Sequence, residues 1–316
     1  MFGKNTNIHE LPEIFHYWSN KYLLPKCQSM GFENPEDFFF QQCKKHCQKY
    51  KHKIKILSIG SGNGELEVGL ANQLVNEKIQ NFSITCMDIN ARMLNRTQKL
   101  TEAKGVESYI NTLKQDFNTW ESNDKYDVVL ANQSLHHVVE LEHLFISISK
   151  ALKPDGQFVV SDMIGRNGHM RWPEALTLIE GFWHELPKEY TYNHAKKRHE
   201  KNYINFDCSS RSFEGIRAQD ILPLLIKNFD FELFLPFSNI ITVFIDRIFG
   251  YNFDPNKPFD TEFIDRIHAK DEAAILSGEI TPTQMYAVMQ NRTLNNSLFA
   301  KLINPKLTPE FCVRKS

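Results

Sequence analysis

Residues 54–64 read Ile-Lys-Ile-Leu-Ser-Ile-Gly-Ser-Gly-Asn-Gly. Ile54, Ile56, Leu57 and Ile59 form a short apolar run, the pattern of a strand buried in a parallel sheet. Gly60, Gly62 and Gly64 follow at alternate positions. Glycine tolerates positive φ and has no side chain, so a ligand can lie against this backbone. Past the loop, Leu66, Leu70, Ala71, Leu74 and Val75 share one helical face. Strand, glycine loop and helix together make a nucleotide-type cradle; the plainer reading is a glycine-rich turn with no ligand.

The spacing narrows the ligand. A dinucleotide fingerprint needs G-x-G-x-x-G, whose third glycine lets helix and strand pack closely. Here that position is Glu65. A pyrophosphate would be repelled by the acid, whereas a ligand carrying positive charge would not.

Further strands are expected over residues 82–87, 109–113, 126–131 and 158–160, with helices between them. That repeated β-α order implies a mostly parallel sheet with helices on both faces. Ligands in such sheets sit at the carboxyl ends of the strands. The glycine loop, Asp88, Asp116, Asn132 and Asp162 all fall at expected strand ends and should converge on one edge. Asp88 is placed to take both hydroxyls of a ribose; capping the next helix is its structural alternative. Lys153-Pro154-Asp155-Gly156 reads as a turn.

The rest of the chain is less regular. Residues 8–53 look helical and aromatic, with Tyr17, Trp18 and Tyr22 in one stretch and Phe38, Phe39 and Phe40 in another. A helix should start after Asn34-Pro35. This segment is either core packing or a lid over the ligand. Residues 163–215 are polar, aromatic and charged, too long for a plain connection, and are expected to form an inserted lid. Residues 231–235 and 240–245 read as two close strands, and residues 260–300 as helical, with Thr281-Pro282 starting a turn of helix.

Composition excludes several classes. With 37 basic and 38 acidic side chains, the 316-residue chain has a formal net charge of −1, no footprint for nucleic acid. The longest apolar clusters, 221–226 and 240–245, fall far short of the ~18 residues of a membrane helix. The first ten residues hold no apolar signal core, and six scattered cysteines suggest no disulfide framework. A cytoplasmic protein is the expectation. Cys43 and Cys47 share a helix face with His46 near them, but no second pair follows, so no metal is expected.

These residues resemble the class I S-adenosylmethionine-dependent methyltransferases. The likeness rests on residues 57–65, on Asp88, on Asp116-Phe117, on Tyr126-Asp127-Val128-Val129 leading to Leu135-His136-His137-Val138, and on residues 152–158. It implies a Rossmann-like methyltransferase fold: a mostly parallel seven-stranded sheet with helices on both faces, helical N- and C-terminal appendages and an inserted lid. The core would span 54–250, between a helical lid at 1–53 and a helical appendage at 251–316. The cofactor would be S-adenosyl-L-methionine. Gly60, Ser61, Gly62, Asn63 and Gly64 would bring backbone to its methionine part. Glu65 would favour its amine or sulfonium, and Asp88 with Ile89 would hold the ribose side. Asp116 would accept from the adenine amino group with Phe117 beside the ring, and Asn132 and Gln133 would line the methyl-transfer opening.

Methyltransferases acting on amino groups of adenine or glutamine resemble one another in an [Asn/Asp]-Pro-Pro-[Tyr/Phe] run, whereas this chain has Asn132-Gln133-Ser134-Leu135. The expected acceptor is a small or carrier-linked molecule, sugar-like in one version, with no nucleic acid or membrane span involved. Oligomeric state is not indicated. For an oxygen acceptor His136 is the candidate base; shaping the loop is the alternative. His137 is expected to face the interior. Tyr17, Tyr22, Trp172, Tyr192 and Arg198 are the candidate acceptor contacts, flat rings for a sugar or ring face and a guanidinium for an anion. Two other functions stay open: a silent domain that binds the cofactor as a scaffold, and transfer of a group other than methyl.

Overall fold

The computed structural model describes residues 11–292 and 300–315. The expected helix start at residues 8–10, the first ten residues read for a signal, and residues 293–299 of the expected C-terminal helical stretch lie outside the described residues. The strands are β1 (Ile54–Ile59), β2 (Phe82–Asp88), β3 (Ile110–Lys114), β4 (Tyr126–Asn132), β5 (Leu152–Met163), β6 (Tyr192–Asn193), β7 (Arg198–His199), β8 (Phe229–Phe237), β9 (Gln284–Asn291) and β10 (Lys301–Leu302). Eight of them form one sheet in the order β10-β8-β9-β5-β4-β1-β2-β3; β6 and β7 pair as a separate ribbon. Neighbours from β5 to β3 run parallel. Strand β9 is antiparallel to both β5 and β8.

The helices are α1 (Glu13–Trp18), α2 (Leu24–Met30), α3 (Pro35–Lys49), α4 (Glu65–Asn76), α5 (Ala91–Lys104), α6 (Leu141–Ala151), α7 (Pro173–Glu185), α8 (Ala218–Asn228), α9 (Ile241–Ile245) and α10 (Pro258–Ser277). A π-helical stretch, Ser19–Leu23, joins α1 to α2. Strand side chains alternate between faces. Ile54, Ile56, Val128, Leu130 and Val159 point toward α3, α4 and α5, packing on Phe38, Phe39, Leu70 and Leu74. Leu57, Ile59, Val129, Ala131, Phe158 and Val160 face the other layer, built from α1 and α6 to α10. The aromatic stripe of α3 is therefore core. Each fully buried phenylalanine there contributes about 1.5–3 kcal/mol.

The sheet corrects the sequence reading at its antiparallel end. It has eight strands rather than seven, the extra one being the two-residue edge strand β10. Residues 241–245, expected as a strand, are helix α9. Asp271 accepts from the backbone N–H groups of Asn239 and Ile240, each at 2.9 Å, and so starts that helix. The partner of β8 is instead β9, inside the stretch expected to be helical. Thr281-Pro282 precedes that strand rather than a helix. A core ending at residue 250 with a purely helical appendage beyond it is thus replaced by a sheet that draws on residues 284–291. The Lys153–Gly156 turn lies within β5 as an irregularity between the Tyr126–Leu152 and Val128–Gln157 pairs.

The stretch 163–215 packs into the body of the protein. Helix α7 buries Ala175, Ile179 and Trp183 in the core. Cys43 and Cys47 are buried free thiols, and burial pushes Cys47 up to about 12. Among the described residues, no helix is long and apolar enough to cross a membrane.

Candidate active site

The expected strand ends converge. Gly60 and Ser61 donate backbone N–H to the Met87 carbonyl at 2.8 and 3.0 Å, which locks the loop after β1 to the end of β2. Gly62 N–H donates to Asp88 Oδ2 at 2.9 Å, and Asn90 N–H donates to Asp88 Oδ1 at 2.7 Å. Each carboxylate oxygen accepts about two hydrogen bonds, so Asp88 keeps capacity for a diol. Ile89, beside it, is 54% exposed. Asp116 Oδ1 accepts from the backbone and side chain of Asn118, both at 2.9 Å.

All three glycines have positive φ, for different reasons. A Cβ on Gly60 would meet Ser134 Cβ at 2.6 Å, and one on Gly64 would meet Thr97 Cγ2 at 2.4 Å. Those two serve close packing. A Cβ on Gly62 would meet nothing within 4 Å. Gly62 alone faces open space, as a ligand-facing glycine should.

A cavity of about 590 Å³ lies beside the loop. Gly60, Ser61, Asn63, Glu65 and Asn132 line it, together with Ser58, Leu66 and Glu67. Asn34, Pro35 and Glu36, at the start of α3, form a further part of its lining. The N-terminal helical segment thus reaches the candidate cofactor site through α3.

On the far side of Asn132, the end of β4 is strained and tightly held. Gln133 has φ +50 and donates its N–H to the Ser161 carbonyl at 2.8 Å. Asp162 Oδ2 accepts from Ser134 N and Leu135 N at 2.9 and 2.7 Å. Its Oδ1 accepts from Met163 N at 2.8 Å and from His136 Nδ1 at 2.6 Å. This fixes the tautomer, with the proton on Nδ1 and Nε2 free. Nε2 faces Glu214 Oε1 at 3.4 Å, an ion-pair distance rather than a hydrogen bond. Glu214 Oε1 also takes His169 Nε2 at 2.8 Å.

Burial alone would lower the His136 pKa, but the two carboxylates outweigh it and raise the group to about 9. Glu214 is held well below the usual carboxylate range by His136 and His169. His137 is corrected by the structure: its side chain is 40% exposed, while that of His136 is 4% exposed. His136, His169 and Glu214 are also the one described group of three whose ligand atoms, all within 4.8 Å of one another, would suit a metal ion.

Residues 50–230 match the family described as a methyltransferase domain. The chain belongs to the class I S-adenosylmethionine-dependent methyltransferases. Among curated relatives, this methyltransferase is 28% identical over 158 residues to the ubiquinone biosynthesis O-methyltransferase of Rickettsia akari, covering 49% of this chain and 58% of that one. It is 25% identical over 184 residues to the non-reducing polyketide synthase nvfA of Aspergillus novofumigatus, covering 56% of this chain and 8% of that one. The chain thus spans at most a little over half the length of these two relatives. Among solved structures it resembles an O-methyltransferase from a trans-AT PKS multienzyme of Brevibacillus brevis in complex with S-adenosyl-L-homocysteine, with TM-score 0.45 and 12% identity over 98% of this chain and 86% of that one. A SAM-dependent methyltransferase from Geobacter sulfurreducens, also in complex with S-adenosyl-L-homocysteine, gives TM-score 0.42 and 11% identity over 90% and 99%.

The residues present fit S-adenosylmethionine, the cofactor after which this family is described. Open space stands in front of Gly62, and among the described residues the buried Glu67 Oε2 has no hydrogen-bond partner. Other expectations fall elsewhere. The hydroxyls of Tyr17 and Tyr22 donate to Asp265 of α10 at 3.0 and 2.7 Å, and Tyr22 stacks on His268 at 3.8 Å. Trp172 lies under the guanidinium groups of Arg166 and Arg314 at 4.9 and 4.3 Å. Tyr192 packs between His194 and His199, and Arg198 pairs with Glu200 at 3.2 Å. The stretch 163–215 meets His136 through His169 and Glu214 instead.

Sequence reasoning passed over His169, Glu214 and Glu67. The signal for the first two was local: each adjoins a glycine of positive φ, Gly168 and Gly215, whose backbones are bonded at 2.8 Å. His169 itself has φ +56, uncommon for a residue with a side chain.

Proposed function

We propose that the protein transfers the methyl group of S-adenosylmethionine to an oxygen atom of a small or carrier-linked acceptor, with His136 as the base. The reading is carried by one observation: buried His136 is fixed through Nδ1 by Asp162 at 2.6 Å, so that in the neutral ring Nε2 is the nitrogen that takes a proton. It lies at the carboxyl end of β4, just past Asn132 of the cofactor cavity. When bound, the cofactor supplies a methyl group already activated by its sulfonium. What the chain must add is alignment of the acceptor and removal of its proton. His136 Nε2 accepts that proton, and Glu214 and Asp162 stabilise the imidazolium that forms. Two relatives, one an O-methyltransferase and one a polyketide synthase, support an oxygen on a small or carrier-held molecule.

The test is formation of S-adenosylhomocysteine with hydroxyl-bearing acceptors, with the labelled methyl traced by mass spectrometry. His136→Asn should lower turnover by ~100-fold or more while cofactor binding is retained. Undiminished turnover in that variant would remove His136 as the base. A label found only on nitrogen or carbon would remove the oxygen acceptor.

A further inference from the structure

Glu67 sits in the first turn of α4 and is 2% exposed. Its Oε1 accepts from Ser58 Oγ at 2.5 Å. Its Oε2 is buried with no partner among the described residues. A buried, unpaired carboxylate oxygen is costly, by about 1–3 kcal/mol or more. Yet Glu67 and Ser58 both line the cofactor cavity, so the unpaired oxygen stands beside space that a ligand can fill.

The charge around it has one sign. Glu36 from α3 and Glu65 from α4 line the same cavity, and no Lys, Arg or His is among its lining residues. Asp88 on β2 adds to the field at Glu67, which burial already pushes up to about 7. The thiols of Cys43 on α3 and Cys86 on β2 also lie within its field. Such a cavity rejects anions and gains from a compact cation with several N–H donors. The cofactor carries one such group, the α-ammonium of its methionine end. With Asp88 toward the ribose, as the family resemblance implies, the methionine end would fall on the other side of the loop.

We propose that Glu67, held by Ser58, is the carboxylate that receives the α-ammonium of the cofactor, in place of the more exposed Glu65. The ammonium supplies the missing partner of Oε2 and satisfies a group that the free protein leaves unpaired. Glu67 is a binding and positioning residue here: by fixing the methionine end it sets where the methyl group emerges. The assignment is independent of the acceptor and of His136.

Calorimetry on the full chain tests it with three probes: S-adenosylhomocysteine, its analogue lacking the α-amino group, and methylthioadenosine, which lacks the amino-acid end. The wild type should bind the deaminated analogue about tenfold or more weakly than S-adenosylhomocysteine. Glu67→Gln should lose that preference while binding methylthioadenosine as the wild type does. Equal binding of the first two probes by the wild type would overturn the proposal without any variant having to fold. So would a preference abolished by Glu65→Gln and kept by Glu67→Gln. A Glu67→Gln protein that loses methylthioadenosine to the same extent would mark Glu67 as structural and would also overturn it.

Discussion

Asp162 Oδ1 lies 2.6 Å from His136 Nδ1, although Asp162 is in β5 and His136 follows β4. The same carboxylate accepts from the backbone of Ser134, Leu135 and Met163. One buried acid therefore closes the loop after β4, joins it to β5 and sets the imidazole tautomer. Every lone pair it offers has a use, which is how a buried charge is tolerated.

Asp162→Asn should separate these tasks. An amide turned to accept from the backbone presents its N–H₂ to Nδ1 and favours the wrong tautomer. Turnover should fall by roughly 10–100-fold with cofactor affinity retained. Stability should fall by about 1–3 kcal/mol, as for a weakened buried hydrogen-bond set. A variant that changes only the Michaelis constant for the acceptor would argue against tautomer control.

The pH profile follows from the same pair. His136 is raised from an ordinary 6.5 to about 9, so the base form dominates only above that value. The rate with acceptor should rise with pH through about 9 and level off above it. The stability linked to His136 runs the opposite way: fully present below 6.5, it is lost as pH rises through 9. Glu214→Gln removes one of the two carboxylates and should move the rising limb to lower pH. A limb that stays in place would assign it to another group.

Asp88 braces the glycine loop and is the candidate residue for the ribose of the cofactor. Asp88→Ala deletes the acceptor of the Gly62 and Asn90 N–H groups and any hold on a ribose. S-adenosylhomocysteine binding should weaken by ~2–3 kcal/mol. Wild-type affinity in the folded variant, measured by calorimetry, would leave Asp88 as a loop brace alone.

The parallel half of the sheet was legible because β1 and β4 carry apolar runs and the candidate ligand residues fall at strand ends. Residues 54–132 needed only local pattern to be placed. The antiparallel end was not legible. Gln284–Asn291 is rich in Met, Ala and Gln, which favour helix, but lies between two strands where neighbours decide. Ile241–Ile245 is apolar and β-branched, yet Asp271, far along the chain, caps it as a helix. The surroundings of the candidate acceptor contacts were not legible for the same reason. Rings and a guanidinium suggested Tyr17, Tyr22, Trp172, Tyr192 and Arg198, while the partners they find are tertiary. His169 and Glu214 reach His136 only because two glycine turns bring separate loops together.

Metal addition distinguishes a proton-handling cluster from a metal centre. His136 Nε2, His169 Nε2 and Glu214 Oε1 have ligand chemistry and lie within 4.8 Å of one another. Zinc binds such nitrogen and oxygen donors at about 2.0–2.2 Å. The bonds already present account for the arrangement without an ion: Asp162 orients His136, and His169 donates to Glu214 at 2.8 Å. If Nε2 must be free to accept a proton, an ion there removes the base. Protein treated with a chelator should keep full turnover. Zinc added at one equivalent should inhibit, compete with the acceptor, and be reversed by chelation. His169→Gln should weaken that inhibition, because it removes a ligand. Turnover that vanishes on chelation and returns with a divalent ion would instead make this trio a metal centre, with the ion taking over activation of the acceptor oxygen.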